Sequence, residues 1–267
     1  MGNGAVAQQK TRRHLVAVFG AGGGLGRALI RELLRRDPAL EVLAVSRQSR
    51  PEVGSASDID ERVHWYTLAH AENDASTLSA YQQVCADWQQ QGLALTGVIS
   101  TIGWLHRHTA DGQDWQPERR IEQLSAEQLQ AYFFTNATLP AMLLQYVKPL
   151  WAKQTATYFV QLGAKVGSIS DNHLGGWYGY RASKAALNML FKTAAIEFKR
   201  THKQLTLAVI HPGTTDTELS KPFQQRLPAD KLYSAELSAT RILDVVANLS
   251  PEHSGAFYFW DGNTIPY

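Results

Sequence analysis

The chain has a single cysteine, Cys85. One thiol can form neither an internal disulfide nor a cysteine-rich metal cage, and such usage fits a reducing cytoplasm. No apolar run approaches the roughly 20 residues of a membrane-spanning helix. Charge of one sign is also lacking: 26 basic residues face 24 acidic ones, for a net charge of +2. That balance gives no basic footprint for nucleic acid, and no charge block suggests an interaction tail. Repeats, low-complexity tracts and linkers are absent. Lys10, Arg12 and Arg13 before Leu15–Phe19 imitate a secretory signal, but glycines interrupt the apolar run after five residues, short of the roughly 7–15 such a signal needs.

What is present is a globular composition, 44% hydrophobic and 19% charged, which excludes wholesale disorder. At 267 residues the chain is long enough to bury a sizeable core. Residues 1–13 are small and polar and are expected to form a flexible arm, with one domain over 14–267. Short apolar runs at Leu15–Phe19, Glu41–Val45, Val63–Leu68, Leu95–Ser100, Thr157–Leu162, Leu205–Ile210 and Gly255–Trp260 predict about seven strands. Helical patterns fall between them at Leu25–Arg36, Leu78–Gln91, Ser125–Val147, Tyr180–Arg200 and Ala235–Leu249. Residues 102–117 read as irregular. Strands alternating with helices predict an α/β fold: a Rossmann-type doubly wound parallel sheet with helices on both faces. Such sheets bind ligands beyond the carboxyl ends of their strands.

The first strand runs into Gly20-Ala21-Gly22-Gly23-Gly24-Leu25-Gly26. Gly20 can make the tight turn, Gly24 can let backbone approach a phosphate, and Gly26 can let helix pack on strand. The helix N-terminus then presents free N–H groups and a partial positive charge to a pyrophosphate. After the second strand come Ser46 and Arg47, with Arg50 nearby and no acid. An arginine there accommodates a 2′-phosphate, so the chemistry favours NADP over NAD.

Farther along, Tyr180-Arg181-Ala182-Ser183-Lys184 puts a phenol and an ammonium four residues apart on one helix face. The ammonium is expected to lower the tyrosine pKa, and such a tyrosine exchanges a proton with a carbonyl or alcohol. A solvated surface pair is the bland alternative.

Taken together, these motifs resemble the short-chain dehydrogenase/reductase family over nearly the whole chain. The further matches are Asn136 in Phe134-Thr135-Asn136-Ala137 and the stretch Pro212-Gly213-Thr214-Thr215-Asp216-Thr217. The segments Gly167-Ser168-Ile169-Ser170-Asp171-Asn172 and Gly175-Gly176-Trp177-Tyr178, with Gly103-Trp104-Leu105-His106 and Pro117-Glu118, resemble the branch of the C-factor signalling protein and sniffer-type carbonyl reductases. The resemblance implies catalysis by Tyr180, Lys184 and Asn136, the last holding a relay water. It implies cofactor contacts from Gly20, Gly22, Gly23, Gly24, Leu25, Gly26, Ser46, Arg47, Gly103, Tyr180, Lys184, Pro212, Gly213 and Thr217. No metal is expected, although His106 and His108 sit close together. A homodimer or homotetramer through the helices at 125–147 and 180–200 is implied as well.

The family pattern fails at three places. The catalytic serine position is Ala164, which has no side-chain donor. Ser168 is expected to replace it, with Ser170 as the alternative. The Asn-Asn-Ala-Gly signature reads Ser100-Thr101-Ile102-Gly103, and the adenine-contacting acid is Thr67 before Leu68. Trp104, Trp115, Trp177 and Tyr178 suit an apolar cleft, core packing or a subunit interface alike, and Arg107 suggests an anionic substrate. The leading expectation is NADP(H)-dependent reduction of a small-molecule carbonyl, or the reverse oxidation. The alternative is a nucleotide-binding signalling protein with little turnover. A structural subunit without cofactor is the weakest reading.

Overall fold

The computed structural model describes residues 14–50, 60–68, 74–108, 112, 114–226 and 228–267. The expected arm at 1–13 lies outside the described residues. Seven parallel strands form the sheet: β1 (His14–Phe19), β2 (Leu40–Ser46), β3 (Val63–Thr67), β4 (Gly97–Ser100), β5 (Thr157–Leu162), β6 (Leu205–His211) and β7 (Ala256–Phe259). Their order across the sheet is β7-β6-β5-β4-β1-β2-β3. β1 is central, with Phe19 level with Val45 of β2 and Ser100 of β4. The order reverses beside β1, which opens a crevice at its carboxyl end. The doubly wound α/β architecture read from the sequence is the one observed.

Strand periodicity explains why both faces are covered. In β1, Leu15, Ala17 and Phe19 enter one apolar cluster while Val16 and Val18 enter the other. On the second face α1 (Gly24–Arg36) packs against α6 (Ala235–Ala247). On the first lie α2 (Asp74–Gln90), α4 (Leu139–Val147) and α5 (Tyr178–Thr201). Cys85 is buried within α2, and burial pushes its thiol up to about 12.

Two regions depart from the sequence reading. The helix expected over 125–147 is broken into α3 (Ala126–Phe133), a π turn at Phe134–Thr138, and α4. The irregular stretch after β4 contains a two-residue antiparallel pairing of Arg107–His108 with Asp114–Trp115. Among the described residues, no helix is long and apolar enough to cross a membrane.

Candidate active site

The glycine loop joins β1 to α1. The N–H groups of Gly20 and Ala21 both donate to Val45 O at 3.0 Å, which turns the chain sharply off the strand end. Gly20 adopts φ +82°, a backbone that suits glycine. The remaining glycines serve different ends. A Cβ on Gly26 would collide with the Gly20 carbonyl, and one on Gly22 with Ser46 Oγ, so the protein's own packing requires both to be glycine. At Gly23 and Gly24 an added Cβ meets nothing closer than 3.5 Å. That space is a cradle at the start of α1, and buried Leu25 anchors the helix beneath it. The helix begins with no side-chain cap and no acidic residue in its first turn, so its leading N–H groups remain available to an anion. A dinucleotide diphosphate fits this cradle. Thr217 Cγ2 stands 3.5 Å from the Cβ position of Gly24, bringing the segment after β6 over the loop.

Thr101 escaped the sequence reading. Its hydroxyl donates to Gly20 O at 3.1 Å and lies 3.3 Å from Phe19 O, tying the glycine loop to the end of β4. A short polar side chain thus supplies a tether where the family signature has asparagine. Gln48 was also missed. Its side chain lies against Gly22, 2.8 Å from the Cβ position. Ser46 is buried, its Oγ accepting Gln48 N–H at 2.9 Å, while Arg47 is exposed just beyond the end of β2.

Tyr180 and Lys184 are both buried near the start of α5. Lys184 Nζ lies 5.8 Å from the Tyr180 ring centroid and donates to Leu162 O at 3.3 Å, the last carbonyl of β5. The Cβ position of Gly103 is 3.1 Å from Lys184 Nζ and 3.2 Å from Asn136 Oδ1. Glycine at 103 therefore lets the chain after β4 run between these two groups. Asn136 is fully buried in the π turn. Its Oδ1 accepts Trp104 N–H at 2.9 Å, and its Nδ2 donates to Trp104 O and Ser183 Oγ, both at 3.1 Å. A π turn inserts one extra residue into the helical ladder, which suits the inward set of this side chain. β6 ends at His211, and Gly213, at φ +77°, follows Pro212. A Cβ on Gly213 would press on Tyr233 at 2.9 Å and Trp260 at 3.0 Å.

Two expectations need correction. Burial, with Tyr132 nearby, raises the Tyr180 pKa above the ordinary phenol value instead of lowering it. Lys184 is desolvated as well, its pKa lowered by burial to about 8, and it donates to Leu162 O. Secondly, Ser168 and Ser170 are occupied elsewhere. Ser168 Oγ donates to Pro266 O at 2.5 Å, and Ser170 Oγ donates to Tyr267 O at 2.7 Å. Both bind the C-terminal residues, so their donors are committed away from a substrate. Ala164, in contrast, joins the apolar cluster containing Tyr180.

Aromatic side chains surround the phenol. Tyr132 and Trp177 approach the Tyr180 ring at 6.0 and 6.1 Å, with interplanar angles of 63° and 75°. Trp104 stacks on Tyr132 at 4.3 Å, and Phe223 lies 5.1 Å from Trp177. Arg107 places its guanidinium near the Trp104 and Trp115 rings, 5.5 and 5.2 Å from their centroids. His106 Nε2 lies 3.1 Å from Glu218 O. Among the described residues, no group of three or more metal-ligating side chains assembles.

The family of short chain dehydrogenases matches residues 14–228. An uncharacterized oxidoreductase of Schizosaccharomyces pombe is 26% identical over 96% of this chain and 99% of its own length. The C-signal protein of Myxococcus xanthus is 29% identical over 51% of this chain and 76% of its own. Among solved structures, the carbonyl reductase Sniffer of Drosophila melanogaster superposes with TM-score 0.77 at 20% identity, covering 96% of this chain and 99% of that one. The NADPH-bound carbonyl reductase from chicken fatty liver gives TM-score 0.74 at 24% identity, again over 96% and 99%. With the glycine loop, the Tyr180–Lys184 pair and the strand order in place, the chain belongs to the short chain dehydrogenase family.

Proposed function

We propose that this chain is an NADP(H)-dependent carbonyl reductase with Tyr180 as its proton donor. The observation that carries the reading is the meeting of Lys184 Nζ and Asn136 Oδ1 at Gly103, on the helix face of a buried Tyr180. The open N-terminus of α1 supports a dinucleotide, and Arg47 at the end of β2 supports a 2′-phosphate on it. The likeness to an NADPH-bound carbonyl reductase points the same way.

When bound, the nicotinamide supplies the hydride. The chain's residues do the rest. Gly23, Gly24 and the first turn of α1 hold the diphosphate, and Thr217 covers it. Gly103, Pro212 and Gly213 give the nicotinamide end a close backbone bed. Tyr180 passes its phenolic proton to the carbonyl oxygen as negative charge develops there. Lys184 supplies positive charge beside the phenol, and Asn136 fixes the chain at Trp104 so that Gly103 stays against both. In the reverse direction the phenolate form of Tyr180 takes the proton of an alcohol.

NADPH oxidation against a panel of aldehydes, ketones and quinones tests the reading, with Tyr180→Phe as control. Oxidation by the wild type and its loss in the variant are expected; equal rates in both would overturn the tyrosine mechanism. Ala164, together with the engaged hydroxyls of Ser168 and Ser170, favours one second reading: a nucleotide-binding signalling protein with little turnover. In that case NADPH binds and the panel leaves it unoxidised. The exposed apolar residues Met189, Leu190 and Ile196 on α5 support self-association through this helix, for which light scattering would give the subunit number.

A further inference from the structure

We infer that Trp177 is a specificity residue of the Tyr180 site and that the site selects an aryl carbonyl compound. The inference rests on the reductase reading above. Three consecutive residues before α5 are left-handed: Gly175 and Gly176 at φ +65°, and Trp177 at φ +54° and ψ +43°. Glycine adopts this backbone without steric cost, whereas a bulky L side chain does so against the clash of its Cβ with the following carbonyl. The one other non-glycine residue described with positive φ is Gln154.

The strain is imposed by the neighbouring chain. Trp177 N–H donates to Glu118 O, and Gly179 N–H donates to Glu118 Oε2 at 3.2 Å. The backbone demands what glycine would provide, yet the position carries the largest side chain available. Strain of this kind concentrates where a side chain must be held in place for function. The indole is only half-buried, so its burial does not account for the choice.

Its setting defines the ligand. Trp177 meets the Tyr180 ring at 6.1 Å and 75°, with Phe223 beyond it at 5.1 Å. Tyr132 faces the same phenol at 6.0 Å, and Ala164 and Val166 complete an apolar cluster. Lys184 donates to Leu162 O, Glu118 accepts Gly179 N–H, and Arg181 Nε donates to Gly176 O at 2.9 Å, so these polar groups lie at the margin of the aromatic cluster. An aryl group placed here meets ring edges and faces. Alanine at 164 removes a hydroxyl and makes the surroundings of the phenol more apolar.

The test compares wild type, Trp177→Gly and Trp177→Phe, using benzaldehyde against propanal as substrates. Benzamide against acetamide is titrated onto the NADP⁺-loaded protein as a pair of ligands that accept no hydride. Trp177→Gly, which relieves the backbone, is expected to keep NADPH affinity and thermal stability close to wild type. It should lose about tenfold in kcat/KM for benzaldehyde, and in benzamide affinity, relative to the aliphatic partner. Trp177→Phe should retain most of the preference. Equal losses for aryl and aliphatic ligands, or a parallel loss of NADPH binding, would make Trp177 a structural support and overturn the inference. If the wild type turns over neither aldehyde, the reductase reading fails on its own; the benzamide titration then decides the inference, a selective loss upholding it and unchanged affinity overturning it.

Discussion

The carboxylate of Glu118 accepts the main-chain N–H of Gly179 one residue before Tyr180, capping the helix that carries the phenol and the ammonium. Glu118 is almost fully buried, and its second oxygen, Oε1, has no hydrogen-bond partner. The helix otherwise begins without a side-chain cap. Glycine at 179 is what permits the approach, since a Cβ there would lie 2.9 Å from Glu118 Oε1 and 2.6 Å from Tyr132. Glu118→Ala leaves a buried N–H unpaired and is expected to cost about 1–3 kcal/mol. Glu118→Gln keeps an acceptor oxygen and should recover most of that loss. Urea unfolding of both variants checks the pair.

The two kinds of glycine in the loop separate folding from cofactor binding. Gly26→Ala forces a methyl into the Gly20 carbonyl and should lower the melting temperature sharply. Gly24→Ala meets only ordinary contact with Thr217, so the fold should survive while NADPH affinity falls tenfold or more, roughly the value of one well-made charged hydrogen bond. Calorimetric melting and NADPH titration distinguish the two outcomes.

Arg47 stands exposed at the end of β2, and residues 42–50 contain no acid to hold a ribose 2′-hydroxyl. Arg47→Glu should weaken NADPH by about 10²-fold and leave NADH nearly unchanged. Equal weakening of both in a fluorescence titration would remove the 2′-phosphate assignment.

Lys184 sets a pH dependence. Burial lowers its folded pKa from 10.5 to about 8, so between those values the unfolded chain binds more protons and stability rises with pH. The same shift corresponds to a cost on the order of 3 kcal/mol at pH 7, where the lysine is charged in both states. Lys184→Met should flatten the melting temperature between pH 8 and 10 and abolish turnover. In the wild type, carbonyl reduction should decline as pH rises through about 8 and the ammonium is lost.

His211 acts at the acid end. Burial, with Lys165 and Lys184 close by, holds its pKa at about 4, and its Nδ1 is buried without a partner. The unfolded histidine protonates near 6.5, so stability is full above that value and falls as pH drops from 6.5 towards 4. His211→Phe should remove one proton's worth of that slope, about 1.4 kcal/mol per pH unit at its steepest. Thermal melts at pH 4.5 and 7 give the comparison.

The sequence by itself determined the parallel sheet, because alternating short apolar runs and helical stripes leave few other ways to bury both strand faces. It also determined the glycine turn and the Tyr180–Lys184 spacing, since both are local patterns along one element. Only the tertiary structure decided what those groups experience. The pKa direction at Tyr180 depends on desolvation and on Tyr132, which reaches the phenol from α3. The diversion of Ser168 to Pro266 depends on a contact 98 residues away, and Glu118 reaches Gly179 across 61. Thr101 and the π turn at Asn136 gave no local signal, because their meaning lies in partners from other strands and helices. Local periodicity specifies the elements; the chemistry of the site comes from groups that meet only when the sheet is wound.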